Sequence, residues 1–210
     1  MVKSISFVRM LVIPVFLVSV VISNAQDTYL SFKDGLTSDR QSISTPERQT
    51  VNRGSDGMEI TWTFSGAGIS EVEVENTSYQ FLNIEGFTQL ALVGAPALPV
   101  HNELIAMPKG AALEIEVVES QYYEYQGFMI HPALEPALDT EGAEEPAFQI
   151  DEQVYQTNAS YPANIIETPD IYYNRGIPLA LLQVVPVQFN PVTSSIRVYT
   201  SIKVKLHFKG

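Results

Sequence analysis

Between residues 196 and 208 apolar and charged side chains take opposite parities. Ile196, Val198, Ile202, Val204, Leu206 and Phe208 fall on one, and Arg197, Lys203, Lys205 and His207 on the other. Only an extended strand sends successive residues to opposite faces. A slip of one residue would bury the cations and expose the apolar set, so the segment predicts a strand of tightly specified register. The same period of two begins at Met58, with Ile60, Trp62 and Phe64 against Glu59, Thr61 and Thr63, and continues with Val72 and Val74 against Glu71, Glu73 and Glu75. Its parity places the lone Trp62 in the core, and Gly66 and Gly68 read as the turn between these two strands. Further strands are predicted over residues 79–84, 98–107, 113–126 and 179–188. The loop Asn190-Pro191-Val192-Thr193-Ser194-Ser195 is expected to fold the final strand back on 179–188 as a hairpin. No sustained i, i+3, i+4 apolar pattern occurs after residue 25, so helix is expected to be minor. The expected class is all-β, an antiparallel β-sandwich of jelly-roll-like type.

The first 25 residues read as a secretory signal peptide. Lys3 and Arg9 precede an apolar run over residues 10–22, and Ser23-Asn24-Ala25 supplies the small residues of a cleavage site, which places the cut between Ala25 and Gln26. The run is shorter than the roughly 20 residues a bilayer span needs and contains Pro14, so no membrane span is expected after cleavage. Residues 26–56 are polar and rich in turn formers, and read as a flexible leader with one short strand near 29–32. The sandwich is expected over 57–210, and the protein is expected to be exported, to the periplasm, cell surface or extracellular space.

Composition excludes several classes of function. The chain has 12 Lys and Arg against 24 Asp and Glu, a net charge of −12 that becomes −14 once Lys3 and Arg9 are removed. Nucleic acid is held by clustered cations that release counterions, and between Lys109 and Arg175 there is no basic residue at all. With no Cys there is neither a disulfide framework nor a thiol nucleophile. His101, His131 and His207 are isolated, each expected as a surface or capping residue, and no metal site or cofactor is implied. Glu144-Glu145 and Asp151-Glu152 are neighbours on a loop. They lack the opposed placement across a cleft that acid–base work on a sugar requires. Gly66-Ala67-Gly68 lacks the Lys and helix of a phosphate loop.

The stretch from Gly86 to Ala111 carries the most distinctive punctuation. Gly94-Ala95-Pro96-Ala97-Leu98-Pro99-Val100 is followed by Glu103-Leu104-Ile105-Ala106-Met107-Pro108-Lys109-Gly110, and farther on come Tyr161-Pro162, Tyr173-Asn174-Arg175-Gly176 and the run Val184-Val185-Pro186-Val187-Gln188-Phe189-Asn190-Pro191. In order and spacing these resemble the N-terminal propeptides of gingipain-type (C25) cysteine peptidases of Bacteroidetes-like bacteria, over roughly residues 55–210. Pro96, Leu98, Pro99, Pro108, Gly110, Asn190 and Pro191 carry the likeness.

That resemblance implies a β-sandwich without catalytic activity of its own, either a shortened precursor or a free-standing prodomain. Its partner would be a gingipain-like catalytic domain, which it holds inactive and helps to fold. Peptidases of this type cleave after Arg or Lys, so the resemblance implies a cation seated in an acidic pocket. Lys109, in the Pro108-Lys109-Gly110 turn, and Arg175, before Gly176, are the candidates, though either also suits an ordinary turn. The long irregular segment 128–153 is a candidate for entering the cleft. It holds no basic residue, and Asp139 is the candidate there if the target has another specificity. Cleavage near the Lys205–Lys209 cations would release the domain, and the same cations also suit the wet face of an edge strand. The alternative reading is a cell-surface β-sandwich that binds or adheres through its loops, with Tyr122, Tyr123, Tyr125, Tyr172 and Tyr173 as contacts.

Overall fold

Apolar alternation is realised as antiparallel strands almost throughout the described chain. The computed structural model describes residues 28–39, 45–54, 57–137, 146–168 and 170–210. The expected signal peptide, its cleavage point at Ala25 and Gln26, Asp139, Glu144 and Glu145 lie outside the described residues.

Three sheets form. In the first, β1 (Thr28–Ser31) lies between β2 (Thr37–Asp39) and β5 (Gly66–Val74), and β5 also pairs β6 (Thr77–Asn83). The second runs β10 (Ile166–Glu167), β12 (Ile177–Val184), β8 (Pro99–Ala106), β7 (Thr88–Gln89), and β11 (Ile171–Asn174) also pairs β12. The third runs β13 (Val187–Asn190), β14 (Ser195–Lys209), β4 (Gly57–Thr63), β3 (Glu47–Asn52), with β9 (Ala112–Gln126) along the free side of β14. All three sheets contribute to one apolar cluster, which includes Leu30, Trp62, Leu82, Val100, Leu182, Ile196 and Val204. The all-β expectation holds, and so does the buried place of Trp62, which is 2% exposed. The one described helix, α1 (Glu152–Tyr155), is a single turn capped by Asp151, whose carboxylate accepts from the backbone N–H of Gln153 and Val154. That cap is the role of Asp151.

Several expectations need correction. Residues 28–52, read as a leader with one short strand, carry β1, β2 and β3. Leu30 and Phe32 are buried in the shared cluster, and burial of such side chains stabilises by about 1.5–3 kcal/mol each. Gly66 and Gly68 are not a turn but part of β5, facing Ser31 and Tyr29 of β1. A Cβ on Gly66 would lie 2.2 Å from the carbonyl oxygen of Leu30, so this strand contact requires glycine. The segment 179–188 is two strands in different sheets. β12 pairs β8, whereas after Val185-Pro186 the chain enters β13, which forms the hairpin with β14. Asn190 closes that hairpin, its carboxamide oxygen accepting from the N–H of Val192 and Thr193. Finally, β14 is not an edge strand, because β4 and β13 flank one side and β9 the other.

Candidate functional site

The pairing of β8 with β12 brings together turns that are distant in sequence. Ala106 faces Leu179, and the N–H of Met107 donates to the carbonyl of Pro178 at 2.9 Å. The chain therefore leaves β8 into Pro108-Lys109-Gly110 at the same end of the sheet where β12 begins. At that end Asn174 pairs with Ile177, leaving Arg175 and Gly176 as a two-residue turn with φ of 50° and 81°. Two positive φ values match the right-handed twist of the hairpin. Lys109 and Arg175, both exposed, thus project from one end of one sheet. Among the described residues neither makes an ion pair, unlike Arg48, Arg53, Arg197, Lys205 and Lys209. An unpaired cation on a tight turn is free to donate charge-assisted hydrogen bonds to a carboxylate brought by a partner.

The proline-rich motif has a different part. Residues 94–100 are buried, and they receive both ends of the long segment. Gly94 N–H donates to Ala133, Ala97 N–H to His131 and Ala133 N–H to Ala95, while Asp151 N–H donates to Gly94. Tyr155 of α1 adds a hydrogen bond to the Ile130 carbonyl at 2.6 Å. Gly94, Ala95 and Ala97, with Pro96 bridged to Pro132, therefore seat the segment, whereas Leu98 and Pro99 face Leu90 and Gln89.

His131, expected at the surface, is only 5% exposed. Its ring stacks on Phe81 at 4.4 Å and meets the edges of Tyr79 and Phe148 at 5.7 and 5.4 Å, with Nδ1 2.6 Å from the Pro132 carbonyl. Phe148 follows the long segment's middle and His131 precedes it, so their contact clamps the base of the loop. Burial pushes the imidazole pKa below its ordinary value, and the Pro132 carbonyl opposes this in part. Tyr79 and Phe81, two residues apart on one face of β6, are the only sequence signal that could have pointed to this clamp.

The remaining histidines do not converge on it. His101 lies beside Phe87 and Glu103, and His207 is 3.3 Å from Glu116. Among the described residues no three His, Asp or Glu side chains gather as a metal site. Lys205 lies 3.7 Å from Glu59, and Lys209 lies 3.1 Å from Glu114. Lys203 and Lys205 sit inside a strand paired on both sides. Glu59, 8% exposed, also meets the Arg53 guanidinium at 2.7 Å, which holds its carboxyl below the usual range.

The described residues thus form an all-β domain of three antiparallel sheets that presents unpaired turn cations at one end of the second sheet. The chain belongs to the Propeptide_C25 family, which matches residues 40–210 and so begins earlier than the motifs suggested. Gingipain R2 of Porphyromonas gingivalis is 26% identical over 149 residues, 71% of this chain and 19% of that protein. Lys-gingipain of the same organism is 21% identical over 175 residues, 80% of this chain and 10% of that protein. The chain thus spans about a fifth or less of the curated relatives it matches. Its fold is similar to a structure solved to explain the zymogenic latency of gingipain K from P. gingivalis, with TM-score 0.71, 19% identity and coverage of 88% of this chain and 99% of that one. The fold is equally close to one in a complex of the RgpB pro- and mature domains of P. gingivalis, with TM-score 0.72, 20% identity and coverage of 80% and 87%.

Proposed function

We propose that this chain is an exported prodomain that keeps a gingipain-like cysteine peptidase inactive by occluding its active-site cleft, within one precursor or in trans, and that favours folding of the catalytic domain by binding only its native form. The observation that carries the reading is the convergence of two free cations, Lys109 and Arg175, on adjacent turns at one end of the β8–β12 sheet. One of them fills an acidic specificity pocket, and the rigid turn positions it there. Removing the cation leaves the pocket carboxylate buried without a partner, which is costlier than the loss of one contact. Family membership supports the reading, as do the latency and the pro–mature complex described for the similar structures.

The test is a titration of the purified chain against gingipain R and Lys-gingipain catalytic domains, with peptide hydrolysis as the readout. Inhibition at nanomolar to micromolar concentration that weakens on Lys109→Ala or Arg175→Ala is the expected result. Absence of inhibition and of any complex would overturn it in favour of a surface-binding module.

A further inference from the structure

The outer face of the second sheet has the wrong chemistry for water. Along β12 the residues Pro178, Ala180, Leu182 and Val184 are buried, so Ile177, Leu179 and Leu181 point the other way. Register places Leu104 of β8 beside Leu181, Ala106 beside Leu179, and Tyr172 of β11 on the other side of Leu179. Leu104, Tyr172 and Ile177 are 54%, 48% and 53% exposed. A solvated sheet face normally alternates to polar residues. Here polar residues form only the rim, where Gln183 donates to Asn102 at 2.9 Å and Tyr172 reaches Asp170.

The adjoining edge is open as well. The two-residue turn makes Asn174 and Ile177 a hydrogen-bonded pair, and bonded pairs alternate along an antiparallel ladder. Tyr172 is then bonded to Leu179, and the next bond is observed, from Leu181 N–H to Asp170 O at 3.0 Å. The N–H and C=O of Ile171 and Tyr173 therefore point away from β12, with no backbone partner among the described residues. Tyr173 is also 75% exposed. Nothing that usually guards an edge, such as a lysine, a bulge or a covering loop, protects these positions among the described residues.

We infer that this apolar face and the β11 edge are the seat of the peptidase's catalytic domain, with the edge accepting an extended segment of that partner as an added strand. The inference rests on the proposed prodomain role and names its footprint. Charge selects the occupant. Lys109 and Arg175 stand unpaired at the end of the patch in a chain of net charge −12, so the patch fits an apolar surface that carries an acidic pocket. Exposed Tyr and Arg beside aliphatic side chains are also the residues that carry most interface energy.

The experiment compares the full chain with Leu104→Asp and Tyr172→Asp in complexes with gingipain R and Lys-gingipain catalytic domains. Val118→Asp on the exposed β9 is the control, and the melting temperature of each variant checks its fold. Each patch variant is expected to bind about 30-fold more weakly or worse, with the control unchanged. Hydrogen exchange in the complex is expected to slow at the Ile171 and Tyr173 amides. Wild-type inhibition that survives both patch substitutions, with no slowing at β11, overturns the footprint and leaves the prodomain role standing. Failure of the wild-type chain to bind either domain removes the prodomain role and the footprint together. A dimer that Tyr172→Asp dissociates in ultracentrifugation would assign the patch to self-association instead.

Discussion

Two solvent-facing sheet surfaces of this chain solve the same problem in opposite ways. On the β9–β14 ribbon the outward residues satisfy one another. Arg197 meets Glu124 at 2.6 Å and lies 4.4 Å over the Tyr122 ring, His207 reaches Glu116, and Lys209 reaches Glu114. On the β8–β12–β11 face the outward residues are aliphatic or aromatic, and its end carries cations that meet no carboxylate among the described residues. The first surface pairs its charges within the chain and faces water, although Val117, Val118 and Tyr123 of β9 stay exposed there. The second leaves apolar area, ladder hydrogen bonds and charges unused, and such a surface is completed by association.

The contrast can be broken most directly at the unused charges. If the proposed role holds, replacing Lys109 or Arg175 by Ala is expected to weaken inhibition by about 100-fold for the one that fills the pocket, on the scale of a buried charge pair losing one member. The melting temperature should stay where it was, and an equal loss for Lys209→Ala would erase the distinction between the two surfaces.

A region of a third kind sharpens it: the His131 clamp, buried and neutral. The groups packed against the ring are Tyr79 and Phe81 of β6, Phe148 and the Pro132 carbonyl, and no described carboxylate pairs with it. Its folded pKa lies below that of the unfolded chain, so the unfolded state binds more protons as pH falls through about 6.5. Stability from this group is complete above that pH and declines below it, towards the folded pKa. Thermal melts between about pH 7.5 and about pH 5 should fall more steeply for the wild type than for His131→Phe. Parallel curves would show that the ring does not act as described.

The smallest effects belong to the ladder. Arg197→Ala should cost about 0.5–1 kcal/mol, from one half-exposed ion pair and one ring contact. For Lys209→Ala, whose pair is exposed on both sides, a denaturant midpoint indistinguishable from wild type is expected.

Legibility follows the same division. The β14 register could be read because alternation is a local property, and its parity is the one observed. Strand β3 could not, since all six of its residues are exposed and it is ordered by its ladder with β4 and the distant Arg48–Glu103 ion pair. The exchange of sheets at Val185-Pro186 is concealed within a continuous apolar run in which β12 and β13 look like one strand. Lys109 and Arg175 were visible as turn cations, yet their proximity depends on β8 pairing with β12, a contact no local pattern encodes. The burial of His131 depends on rings from β6 and from the far end of the long segment, so its own neighbours in sequence gave no sign of it.

The interior position of β14 has a consequence in time. Of the described strands it is made last, yet β4, β9 and β13 all pair with it. Until residues 195–209 have emerged, those three strands have no central strand to pair with, and the third sheet cannot close. Closure of such distant pairings is slow even then. The third sheet of a nascent chain of this design therefore stays open until residue 209 has been made, and a segment whose sheet is still open can be threaded through a narrow channel.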